Sequence, residues 1–97
     1  MNKEQIKKEF QENFRELRKI LNSWELIPGA PNDEFDGLNH QILNNLYKGA
    51  DQEKISRVLE SELTVTYGLY DDETDASEMS SEIIEWWNFK RNNLNSL

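Results

Sequence analysis

The sequence predicts an all-α chain of about four helices forming a single compact domain. Three observations lead there. Apolar residues recur every three or four positions through most of the 97 residues, which is the period of one helix face. Proline and glycine interrupt that pattern at Pro28 to Pro31, at Gly49 and at Gly68, dividing the chain into four helix-length pieces. The one β-prone stretch, LTVTYGLY, has no second strand to pair with and is assigned to the end of a helix.

The first helix is expected over residues 3–23. Ile6, Phe10, Phe14, Leu17, Leu21 and Trp24 fall on one face. Between them lie charges at helical spacing, Glu4 with Lys8, Glu12 with Arg15 and Glu16 with Lys19, each worth a few tenths of a kcal/mol. Pro28 and Pro31 cannot continue this helix, because proline lacks the backbone donor and constrains the residue before it. A second helix is expected over 33–48, with Asn32 or Asp33 as cap and Glu34 and Asp36 in a first turn whose dipole favours negative charge. Its apolar face is Phe35, Leu38, Ile42 and Leu46, widened by Leu43 and Tyr47, and Lys48 before Gly49 is a usual helix ending.

Asp51 then caps a third helix over 51–67 after a very short connection, with Ile55, Val58, Leu59, Leu63 and Tyr67 on its buried side and Gly68 as terminator. The polar stretch DDETDAS precedes a fourth helix over 77–92. Asp75 and Glu78 resemble a capping box there, with Asp in place of Ser or Thr. Met79, Ile83, Trp86 or Trp87, and Phe89 are its candidates for burial, and the tail 93–97 is expected to fray.

Composition narrows the function. The chain has no cysteine, which excludes disulfides, thiolate metal sites and cysteine nucleophiles. No run approaches the roughly 20 apolar residues of a membrane span, and MNKEQIKKEF lacks the apolar core of a signal peptide, so a soluble, cytoplasmic protein without membrane attachment is expected. The formal charge of −8 is unevenly spread: residues 1–22 hold six bases and four acids, and the other 75 hold five bases and fifteen acids. From Asp71 to Glu85 there are seven acids and no base. Such a surface repels phosphate backbones, which argues against nucleic acid and for a basic protein partner.

Two acidic stretches partly match the calcium loop of an EF-hand, which needs oxygens at positions one, three and five, glycine at six and glutamate at twelve. With Gly37 at position six, Asn32, Glu34 and Asp36 fit, but position twelve is Leu43. Starting at Asp71, the acids Asp71, Glu73, Asp75 and Glu82 fit, but Ala76 stands where the turn needs glycine and Glu78 where an apolar residue belongs. His40 is the only histidine and has no Ser, Cys or second His at a triad or zinc spacing, so it reads as a surface or boundary residue. No catalytic, cofactor-binding or metal-ligating residue is assigned, and a non-enzymatic protein is expected. The adjacent Trp86 and Trp87 point about 100° apart on a helix, so a narrow stripe cannot bury both. An exposed Trp between Glu82 and Glu85 on one side and Lys90 and Arg91 on the other has the composition of an interaction hot spot.

The order of features also carries a resemblance. An amphipathic helix ending in Trp24, a loop with Pro28, the run GAPNDEFD opening a second helix, then YKGADQEKISRVLES and a Tyr67-Gly68 ending resembles a family of short acidic helical proteins of Gram-positive bacteria classed only as a domain of unknown function. The resemblance spans roughly residues 6–90. In that family Trp is commonly followed directly by Asp-Pro, whereas here Glu25, Leu26 and Ile27 intervene. It implies an all-α fold and transfers no activity. In size and charge the chain is similar in type to small bacterial immunity proteins.

The expected function is a non-catalytic interaction module that binds a basic protein, immunity-like in its most concrete form. Its expected binding surface is Asp71, Asp72, Glu73, Asp75, Glu78, Glu82 and Glu85, with Trp86 or Trp87 as apolar anchor. The alternatives are a small regulatory module taking up divalent metal weakly at the 71–82 loop, and a homo-oligomer whose Trp pair forms the self-contact.

Overall fold

The computed structural model describes residues 3–69 and 75–95, without the side chains of 3–6 and 93–95. Four helices follow one another: α1, Lys3–Ser23; α2, Asp36–Tyr47; α3, Gln52–Val65; and α4, Ala76–Asn95. Among the described residues there is no strand, and the architecture is all-α as predicted. Backbone contacts divide the chain into two units, Met1–Leu43 and Asn44–Leu97, the division falling inside α2.

In the first unit α1 has the predicted bounds. Leu17 and Leu21 are buried on its face, and Phe10, Phe14 and Trp24 are half-buried. The sequence pattern did not anticipate Asn13, which is buried between them at 1% exposure. From α2, Phe35, Leu38, Ile42 and Leu43 are buried. Polar bonds fix the two helices against each other. Asn39, fully buried, donates from Nδ2 to the Phe14 carbonyl at 2.8 Å, and its Oδ1 accepts no hydrogen bond among the described residues. Arg18 donates from Nε and Nη2 to the two carboxylate oxygens of Asp36 at 3.0 and 2.5 Å. The guanidinium also lies 5.4 Å from the Phe14 ring centre, within cation–π range.

The expected start of α2 at residue 33 is corrected by three residues. Neither Asn32 nor Asp33 caps the helix. Instead the Glu34 N–H donates to the Pro31 carbonyl and the Asp36 N–H to the Asp33 carbonyl, both at 3.1 Å. These are i→i+3 closures, the tight winding common at helix ends. The first i→i+4 bond runs from the Asn39 N–H to the Phe35 carbonyl at 2.8 Å. Phe35, 4% exposed, therefore occupies the capping position through its backbone carbonyl, and Asp36 turns its carboxylate to Arg18.

In the second unit α2 ends on a Schellman motif. Gly49 takes φ +89°, its N–H donates to the Leu46 carbonyl at 3.0 Å, and the Ala50 N–H reaches the Asn45 carbonyl at 3.0 Å. Asp51 then caps α3, accepting from the Lys54 N–H at 2.9 Å as expected. Ile55, Leu59 and Leu63 are buried, while Val58 and Tyr67 are half-buried. The helix stops at Val65, two residues before the expected end. Its last turn loosens, with the Tyr67 N–H reaching back to the Glu62 carbonyl at 3.2 Å and the Leu69 N–H to the Leu63 carbonyl at 2.8 Å around Gly68 at φ +69°. The β-branched run Thr64-Val65-Thr66 lies at this end, and Val65 is 80% exposed, so side-chain burial does nothing to prolong the helix.

α4 packs against α3. Gln52 Nε2 donates to the Ser77 carbonyl at 3.4 Å across that contact. Asp75 caps α4 by accepting from the Glu78 N–H at 3.1 Å. Met79, Ile83 and Trp87, four residues apart, form the buried stripe with Ser80, whose hydroxyl donates to the Ser77 carbonyl at 2.8 Å. Phe89 departs from the expectation of burial. It lies two residues beyond Trp87, about 200° around the helix, and is 64% exposed. The helical backbone continues to Asn95, past the expected end at residue 92.

Candidate interaction site

The α4 surface is built by the periodicity that buries the opposite side. Glu78, Glu82, Glu85 and Phe89 follow at intervals of four, three and four residues, which places them in one row along the helix. All four are exposed. Trp86 flanks the row and is half-buried; Lys90 is half-buried and Arg91 exposed at its far end.

The Trp pair is resolved by this arrangement. Trp87 is the inner ring, 8% exposed, with Tyr47 edge-on to it at a centroid distance of 5.2 Å and an interplanar angle of 78°. Trp86 is the outer ring, 5.9 Å from Trp87 and tilted 49°. Phe89 was missed as a surface group because its aromatic character suggested burial. Its angular offset from the Met79, Ile83 and Trp87 stripe was the available signal.

Of the expected binding acids, Glu78, Glu82 and Glu85 share the exposed row, and Asp75 is engaged in capping. Asp71, Asp72 and Glu73 lie outside the described residues, as do the first four positions of the 71–82 loop. Among the described residues no group of three His, Cys, Asp or Glu side chains is placed to hold a metal ion. His40 is exposed on α2 yet in ring contact with Phe14 at 4.8 Å and Phe10 at 5.8 Å, a boundary position. No helix of the described residues is long and apolar enough to cross a membrane.

No protein-family model, curated protein or solved structure matches the chain. What the site can do is therefore a matter of its own chemistry. Three carboxylates in a row attract a complementary row of Lys or Arg, while a large exposed ring at the end of the row gains several tens of Å² of burial when covered. An exposed Phe alone is ordinary on a protein surface, so the alignment with the acids is the informative part.

Proposed function

We propose that the chain is a non-catalytic protein-interaction module that binds a basic partner protein through the outer face of α4. The reading is carried by one observation: Phe89, 64% exposed, continues the row of Glu78, Glu82 and Glu85. The acids supply steering and register, and Phe89 with the edge of Trp86 supplies the apolar anchor that a purely ionic contact lacks. The cysteine-free composition fits an intracellular setting. In its most concrete form the partner is a nuclease-like toxin whose phosphate-binding groove accepts the carboxylates in place of substrate, which makes the module immunity-like.

The test is capture from cell lysate by the full chain and by a Phe89→Ala variant of confirmed helicity, followed by stopped-flow association with the captured protein. Capture by the parent chain alone, with an association rate that falls steeply between low and high salt, supports the reading. A salt-independent rate, or equal capture by both chains, overturns it.

A further inference from the structure

The turn between α1 and α2 encloses a cleft of about 280 Å³, small beside the roughly 300 to 1,000 Å³ of ordinary ligand pockets. Its apolar lining comes from Leu26, Ile27, Pro28, Pro31 and Phe35, and Glu25, two residues past the end of α1, also lines it. Local bonds hold the turn in shape. Asn22 donates from Nδ2 to the Asn32 carbonyl at 2.9 Å, bracing one end of the turn against the other, and the Ala30 N–H donates to the Ile27 carbonyl at 3.1 Å.

The electrostatics around this cleft are one-sided. From residue 20 to residue 47 there is no Lys or Arg, while Glu25, Asp33, Glu34 and Asp36 fall within that span. Of the two bases just before this span, Arg18 is committed to Asp36 through two hydrogen bonds and Lys19 is exposed on α1. Glu25 itself sits at φ +49°, the left-handed position after a helix where glycine is the ordinary occupant. A carboxylate in the lining of a cleft that also presents apolar side chains is complementary to a side chain with an aliphatic stem and a cationic head.

We propose that this cleft receives a lysine or arginine side chain presented by a partner polypeptide, the stem lying on the apolar lining and the head meeting Glu25. No Lys or Arg lines the cleft to hold an anion. The cleft is built wholly from residues of the first unit, and the proposal does not depend on the function proposed for α4.

The test is an NMR titration of the ¹⁵N-labelled full chain with the capped tripeptide acetyl-Ala-Arg-Ala-amide, its Lys and norleucine counterparts, and free arginine. Saturable shifts of the amides from Asn22 to Phe35 are expected for the Arg and Lys peptides, with Kd on the order of 1 mM, and roughly tenfold weaker binding for norleucine. Glu25→Gln and Glu25→Gly are both expected to weaken the Arg peptide about tenfold. The two variants keep the test independent of folding, because Glu25→Gly relieves the left-handed backbone and Glu25→Gln does not. Equal binding of norleucine and Arg peptides, undiminished binding by both variants, or binding of free arginine alone would each overturn the proposal. Shifts confined to α4 would overturn it too, while leaving the α4 reading intact.

Discussion

Tyr47 stands edge-on to Trp87, with ring centroids 5.2 Å apart, joining the last residue of α2 to the third core position of α4. Tyr47 remains 46% exposed while Trp87 is 8% exposed, so the contact has an inner and an outer partner. The pair shows how α4 separates its aromatic residues, one ring packed inward and Phe89 left outside.

Replacing the inner and outer rings should therefore have unequal effects on stability. Trp87→Ala is expected to cost about 3 to 5 kcal/mol, through lost burial and the lost edge-to-face contact. Phe89→Ala should change stability by less than about 0.5 kcal/mol. Urea unfolding followed by circular dichroism gives both values, and comparable losses would contradict the assignment of faces.

Glu25 offers a stabilising change. A non-glycine residue in the left-handed region costs about 1 to 2 kcal/mol, and glycine returns part of that gain through its looser unfolded chain. Glu25→Gly should raise stability by roughly 0.5 kcal/mol, read as a higher thermal midpoint in calorimetry. The opposite change at Gly49, at φ +89° with open space around it, should be destabilising for backbone reasons alone. Gly49→Ala is expected to lose about 1 kcal/mol.

The buried amide of Asn39 is expected to matter more than its polarity suggests. Asn39→Ala removes the bond to the Phe14 carbonyl and leaves a small void, at a cost of about 1 to 3 kcal/mol. Since Oδ1 lacks an acceptor role among the described residues, Asn39→Leu tests whether polarity or volume dominates. A Leu variant as stable as the parent would show that the hydrogen bond contributes little beyond the space it fills.

The Arg18–Asp36 pair yields a pH expectation. The hydrogen bond to Asp36 holds the Arg18 proton more firmly than usual, with the charges of Asp36 and Asp33 adding to it and burial opposing it. A base whose folded-state affinity for its proton is raised contributes stability fully present below its unfolded-state pKa, and that contribution is lost only as pH rises through the higher folded value. For arginine both lie in strongly alkaline solution. The stability difference between the parent and Arg18→Gln should thus be constant from about pH 6 to about pH 9. A slope across that interval, in urea midpoints measured at fixed ionic strength, would show that another group governs the contact.

The helices were legible in the sequence because periodicity and punctuation agree there. The α1 stripe from Phe10 to Leu21, the caps at Asp51 and Asp75, and the glycine endings at Gly49 and Gly68 each rest on a local rule that tertiary packing did not override. The start of α2 was not legible. Asn32 and Asp33 look like caps in isolation, whereas the structure closes 31–36 with i→i+3 bonds, buries Phe35 and pairs Asp36 with Arg18, none of which a local rule shows. Asn13, Asn39 and Ser80 escaped for a related reason: a polar residue is assigned to the surface until a partner such as the Phe14 or Ser77 carbonyl is known. On α4 the acids were found as composition, whereas their alignment with Phe89 required the angle of each residue around the helix.

The four residues between α2 and α3 also have a bearing on time. The Gly49 motif and the Asp51 cap draw every partner from within six positions of sequence, so this corner closes without waiting for distant chain. Contacts of such short reach form on the scale of about a microsecond or less, whereas the Arg18–Asp36 and Phe14–Asn39 bonds must first bring together segments 18 and 25 residues apart. In refolding, the α2–α3 corner should gain amide protection before the α1–α2 contacts, making it an early foothold for the rest of the chain.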